Sequence, residues 1–139
     1  MSPSELLSPG ALGCVAGGSA IGALARFELS RRMAGWLGER FPWATLVINV
    51  SGCLFAGALF GMLLDSSTTL WSLLLVTGAL GSYTTVSSFS LETLLLARRT
   101  SWRAAVIYVA LSVAGCIAAV GVGVWLFRQI VGSAAFVSG

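Results

Sequence analysis

Hydrophobic residues fill this chain in four long blocks, and its few charged positions mark the edges of those blocks. Uncharged windows cover residues 6–25, 41–64, 66–91 and 104–127, with lengths of 20, 24, 26 and 24. A helix crosses the hydrocarbon core of a bilayer with about 20 apolar residues. The pattern therefore predicts an all-α membrane protein with one domain, 1–139, and spans near 6–33, 41–64, 70–97 and 102–128. The first helix is expected to continue amphipathically through residues 27–33. Connections are predicted at 34–40 (AGWLGER, with turn-type glycines), 65–69 (DSSTT, whose hydroxyls suit a cap) and 98–103 (RRTSWR). Pro42 suits the first turn of the second helix.

One block departs from this pattern. Residues 78–90 read GALGSYTTVSSFS, in which seven of the thirteen side chains carry a hydroxyl. Gly78 and Gly81 weaken a helix, and Thr84, Thr85, Ser87 and Ser88 offer hydrogen bonds that compete with it. A break near Thr84 is expected, and it would free backbone carbonyls at membrane depth. Irregular backbone survives there only where protein or a polar cavity satisfies it. In transporters, unwound carbonyls of this kind coordinate cations. A kinked but continuous helix is the alternative. In the second span Asn49 stands among apolar neighbours in TLVINVSG. An unpaired amide at that depth costs several kcal/mol. An interhelical hydrogen bond would satisfy it, and its two N–H donors also suit a desolvated anion. Phe89 shares a helical face with Val86, and its ring edge is electropositive. On the fourth span Ser112 and Cys116 make a weakly polar stripe, with Tyr108 one turn earlier.

Composition agrees with the membrane reading. The chain is 57% hydrophobic and 9% charged, with a mean hydropathy of +0.93, whereas soluble domains carry about 25% charged residues. Residues 6–25 could be a secretory leader, but Glu5 precedes them, no basic residue does, and the window is long for that purpose. A buried soluble bundle is the other competitor. Trp36, Trp43, Trp71 and Trp102 lie at window edges, where an aromatic belt belongs. The net charge of +3 comes from arginines in short loops, with no basic helix for nucleic acid. Arg26, Arg31, Arg32, Arg40, Arg98, Arg99 and Arg103 fall on one side and Arg128 alone on the other. The positive-inside rule then puts the arginine-bearing loops in the cytoplasm and both termini outside.

Candidate chemistry narrows further. Histidine is absent, and all eight Lys+Arg positions are arginine. The commonest general base and metal ligand and the Schiff-base amine are thereby removed, so no enzyme is expected. Cys14, Cys53 and Cys116 fall singly in three windows with no metal-ligand or redox spacing, and Cys14 and Cys53 read as small packing residues. Small residues four apart, at Gly18 and Gly22, Gly57 and Gly61, and Ala119 and Gly123, predict close helix packing and an oligomer.

The motifs GGSAIGALARF (17–27), TLVINVSGCLFAG (45–57), GALGSYTTVSSFSLE (78–92) and YVALSVAGC (108–116) resemble the small bacterial fluoride channels (CrcB, also called Fluc). The resemblance implies a fluoride-selective channel for passive export of cytoplasmic fluoride. It also implies an antiparallel dual-topology dimer with a broken third helix and a central structural sodium ion. On the matching positions, Asn49 and Phe89 are implied as pore residues, and Thr45, Ser87, Ser112, Tyr108 and Glu92 as polar pore-lining ones. Gly81 and Thr84 would hold sodium through their carbonyls, and Arg26 ends the first span. Three positions depart: Val86 replaces a phenylalanine, Ser82 follows Gly81 where a second glycine is usual, and Cys116 replaces a serine or threonine. The loss of a ring at Val86 and the arginine bias together favour a heterodimer with a paired homologue over a homodimer. Two competitors remain: a proton-coupled small multidrug-type exporter and a partner subunit with a degenerate pore. The exporter needs a carboxylate deep in a span, whereas Glu28, Glu39, Asp65 and Glu92 sit at window ends.

Overall fold

A computed structural model describes residues 8–38, 41–63 and 72–137 of the chain. The expected cap at 65–69, the belt residue Trp71, the charges at 39, 40 and 65, and the packing of Gly61 lie outside the described residues. All the secondary structure described is helical: α1 (Pro9–Leu37), α2 (Trp43–Leu63), the π-helical α3 (Leu73–Leu80), the single turn α4 (Gly81–Tyr83), α5 (Val86–Arg99) and α6 (Trp102–Val137). Among the described residues α1, α2 and α6 are long and apolar enough to cross a membrane.

Helix ends follow local chemistry. Ser8 caps α1 by accepting from the Ala11 N–H at 3.3 Å, and Pro9 occupies the first turn. The helix runs through the glycine-containing segment read as a loop and stops only at Gly38, whose φ of +71° favours glycine. Gly35 is therefore helical, and the turn is shorter than expected. Ser101 caps the start of α6 by accepting from the Ala104 N–H at 3.1 Å.

Contacts fix the directions of the helices. Gly18 meets Leu74 and Gly22 meets Ala79, so α1 runs parallel to α3. Phe41 meets Tyr108 and Gly57 meets Val120, so α2 and α6 are parallel as well. Asn49 reaches Thr85 while Thr45 reaches Glu92, which makes α5 antiparallel to α2. The bundle therefore alternates direction from one crossing to the next.

Both parallel seams are built on small residues. A Cβ on Gly22 would strike the Ala79 carbonyl, one on Gly57 the Val120 carbonyl, and one on Gly123 the Leu54 carbonyl. Lipid is as apolar as leucine, so close backbone packing replaces hydrophobic burial as the adhesive. The buried core is accordingly small, comprising Ala11, Ile48, Leu96, Ala105, Tyr108 and Ala119. Large apolar residues point outward along every long helix, among them Leu24, Phe27, Phe55 and Ile117.

The helical course between α4 and α5 is interrupted by two residues. Thr84 (φ −75°, ψ 156°) and Thr85 (φ −149°, ψ 118°) are both extended. Thr85 then caps α5, its hydroxyl accepting from the Ser88 N–H at 3.3 Å.

Candidate functional site: a polar ladder between α2, α5 and α6

The extended residues are held by Asn49. Its Nδ2 donates to the Thr85 carbonyl at 3.1 Å, and its Oδ1 accepts from the Thr85 N–H at 2.9 Å. One side-chain amide thus satisfies both backbone groups of the residue that a helix would otherwise have paired. The double bond also fixes the orientation of the amide and leaves its second N–H uncommitted to Thr85. Gly52, one turn on, makes room for the break: a Cβ there would collide with the Thr84 side chain. The spacing Asn49-x-x-Gly52 therefore places the staple and the clearance on one helical face.

Two carbonyls lose their helical donors at this break. The Thr85 N–H, which would serve Gly81, goes to Asn49, and the Ser88 N–H, which would serve Thr84, goes to the Thr85 hydroxyl. Thr84 itself closes the preceding turn through its N–H (3.1 Å) and its hydroxyl (3.0 Å), both onto the Leu80 carbonyl. Ser51 and Tyr83 share a hydrogen bond of 2.9 Å beside it.

Asn49 also lines an open groove of about 380 Å³, together with Cys53, Thr84, Thr85, Val86, Phe89, Ser112, Val113, Cys116 and Ile117. Ser112 is 5% exposed, and its hydroxyl has no hydrogen-bond partner. A buried hydroxyl left unpaired costs about 1–3 kcal/mol, so this one is available to something that enters the groove.

One turn towards the start of α2 lies a second polar constellation. Glu92 accepts from the Thr45 hydroxyl at 2.8 Å and from the Tyr108 hydroxyl at 2.9 Å, one at each carboxylate oxygen. Thr45 and Tyr108 are buried, at 5% and 0% exposed. The Tyr108 ring packs against Phe89 at 5.4 Å and edge-on to Phe41 at 5.6 Å. Thr45 and Glu92 also line a cavity of about 390 Å³, with Ser88, Phe41, Trp43 and Arg99 among its walls. Phe89, a wall of the groove, thus packs on Tyr108, whose hydroxyl bonds to Glu92 in the wall of the cavity.

The parallel packing of α2 and α6 makes this arrangement regular. Thr45 and Tyr108 meet at Glu92, Asn49 and Ser112 line the groove together, as do Cys53 and Cys116, and Gly57 meets Val120, each pair one turn beyond the last. Of the candidate residues, the fold brings Asn49, Thr84, Val86, Phe89, Ser112 and Cys116 to the groove, and Thr45, Glu92 and Tyr108 to the rung beside it. Ser87 does not join them: it is exposed and bonded to the Thr85 hydroxyl at 3.1 Å. Gly81 is likewise exposed, and half-buried Arg26 lines neither space. Thr85, the residue that Asn49 holds, and Ser88, which lines the cavity, were expected only as hydroxyls that weaken the helix and not as site residues. Cys53, read as a packing residue, and Cys116, read with Ser112 as a weakly polar stripe, line the groove together.

A donor-lined groove beside an interrupted helix is an arrangement shared with membrane transport proteins. The family model for CrcB-like protein, Camphor Resistance (CrcB), matches residues 13–124, and the chain belongs to that family. It is 46% identical over 121 residues to a fluoride-specific ion channel of Erythrobacter litoralis, covering 82% of this chain and 89% of the relative. A fluoride-specific ion channel of Coxiella burnetii is 43% identical over 122 residues, covering 86% and 94%. Fluoride-specific ion channel FluC 2 of Bradyrhizobium diazoefficiens is 47% identical over 111 residues, covering 76% and 80%. These relatives are ion channels rather than enzymes, and this chain is a multi-pass membrane protein.

Proposed function

We propose that the chain is a subunit of a fluoride channel, in which the ladder of donors replaces the water of a small anion step by step. The observation that carries this reading is the unpartnered, buried hydroxyl of Ser112, facing the same groove as the Asn49 amide and Phe89. Moving an anion into a medium of low dielectric forfeits tens of kcal/mol in the idealised limit. A single donor does not offset that, whereas successive donors do. The cavity beside Thr45 and Glu92 is the entrance, the Phe89 edge and Tyr108 follow, and the Ser112 hydroxyl with the free Asn49 N–H comes next. Fluoride is the smallest halide and the strongest acceptor, so a close-fitting row of donors favours it over chloride. The physiological role is passive export of fluoride, which limits its toxicity.

The interruption at Thr84 and Thr85 is the mid-membrane break of the third span in this reading. The carbonyls of Gly81 and Thr84, whose helical donors are diverted, suit a hard cation such as sodium, which takes oxygen ligands. Bound between two chains, such an ion would supply a fixed positive charge. The groove is open along one side, as expected of a wall that a second, antiparallel chain completes. Val86 stands 77% exposed on that side, without the aromatic edge the family pattern places there. Together with the arginine bias, this favours a partner homologue inserted the other way over a second copy. Ser87, exposed within one chain, would meet the path only in the assembled pair.

Reconstitution tests the function. Protein alone, and with a paired homologue, is placed in liposomes and fluoride efflux followed with an ion-selective electrode. Efflux is expected from the pair, and chloride should leave far more slowly. No efflux from either sample would refute the channel reading, and comparable chloride efflux would refute the selectivity argument. Orientation is tested separately by an epitope tag on the N-terminus, which should be reached from the outer face only. Equal labelling from both faces would exclude a fixed orientation.

A further inference from the structure

Two cysteines occupy one rung of the α2–α6 ladder. Cys53 and Cys116 are half-buried, and both line the groove, one from α2 and one from α6. They lie one turn from the Asn49–Ser112 rung and one turn from the glycine contact at Gly57 and Val120. That backbone contact holds the two helices close, so the two thiols lie along a stiff seam. The unpartnered Ser112 hydroxyl adjoins the same space. No histidine or carboxylate lines the groove, so a metal ion entering it meets sulfur as its strongest donor. Soft sulfur ligands select soft cations, and two of them on facing helices suit an ion content with linear coordination.

We propose that Cys53 and Cys116 form a two-thiol site for a soft, thiophilic metal ion of the Hg²⁺ class, and that an ion bound there obstructs the groove. Binding forms two metal–sulfur bonds and releases one proton from each thiol, so one Hg²⁺ enters and two H⁺ leave with no change in oxidation state. The obstruction rests on the channel reading; the binding does not.

The test uses full-length protein carrying Cys14→Ala, in which only the pair remains. It is titrated with mercuric chloride, and thiols are counted by alkylation and intact mass. One ion per chain is expected to protect both thiols, with the mass of mercury gained and two protons lost. Two ions per chain, or a thiol still alkylated at one equivalent, would overturn the site. In liposomes the same dose is expected to cut fluoride efflux about tenfold or more, and excess dithiothreitol to restore it. Cys53→Ala should keep most of its own metal-free rate under that dose. Full protection of both thiols with unchanged efflux would overturn the obstruction. Absence of efflux in every sample, with one-ion uptake intact, would overturn the channel reading and leave the metal site standing.

Discussion

Asn49→Asp is expected to abolish fluoride efflux while leaving the protein folded enough to assemble. The substitution changes two things at once. The Nδ2 donor to the Thr85 carbonyl becomes a carboxylate oxygen facing that carbonyl, while the bond from the Thr85 N–H survives. A negative charge also now stands in the groove where the anion must pass. At about 5 Å and an effective dielectric near 20, two like charges repel by about 3 kcal/mol. An added barrier of that size slows passage by roughly a hundredfold or more. Efflux within tenfold of the unaltered protein, measured in the same liposomes, would remove Asn49 from the path. Asn49→Ala separates the two effects, since it loses the staple and adds no charge. It should therefore be slowed less than the aspartate, and elution of both variants at the volume of the unaltered protein checks assembly.

How much of this was legible in the chain depends on what each feature needed. The spans were legible because lipid leaves few alternatives: about 20 apolar residues bounded by charge can hardly be anything else. Asn49 was legible for the same reason, as a polar group where polarity is expensive. Its partner was not. Thr85 is one of seven hydroxyl residues in its stretch, and only the position of the break decides which of them Asn49 reaches. The same ambiguity explains Ser87 and Ser88. Successive residues on a helix differ by about 100° in direction, and the start of α5 at Val86 turns Ser88, and not Ser87, to the cavity. The shared place of Cys53 and Cys116 in the groove was hidden because it depends on the register of α2 against α6, two helices separated by the whole third crossing. Glycines at 18 and 22 were read correctly as a packing stripe, but their partner needed the fold. Gly57 was likewise read correctly as a close-packing position, and its partner, Val120 on α6, again needed the fold.

Register also explains why the break is where it is. Asn49 can staple Thr85 only if α3 and α4 deliver it at the right height, and that height is set by α1. Ser19 donates to the Gly78 carbonyl at 3.5 Å, and Gly18 and Gly22 sit against the backbone of Leu74 and Ala79. Reciprocally, a Cβ on Gly78 would meet the Val15 carbonyl at 2.8 Å. The π-helical winding of α3 lies along this same contact. An extra residue per turn of that kind often marks functional sites. Here it adjusts the approach to the extended residues.

Gly22→Ala is accordingly expected to be among the most damaging single methyl groups at the described glycines. Its new Cβ would strike the Ala79 carbonyl, and neither backbone can yield without moving a whole helix. Overpacking against movable side chains costs about 1–3 kcal/mol. Against backbone on both sides the upper end applies, which corresponds to a melting temperature lower by about 10 °C. Gly17→Ala is the control, since a Cβ there meets nothing within 4 Å and alanine favours the helix. Thermal unfolding in detergent should find Gly17→Ala at or slightly above the unaltered protein and Gly22→Ala well below it. Indistinguishable melting of the two variants would show that the α1–α3 seam is loose. If the seam holds as described, material of Gly22→Ala that survives purification should also lose efflux. Displacing α3 shifts Thr85 away from Asn49, and the same methyl group then removes the donor geometry of the path together with the stability of the fold.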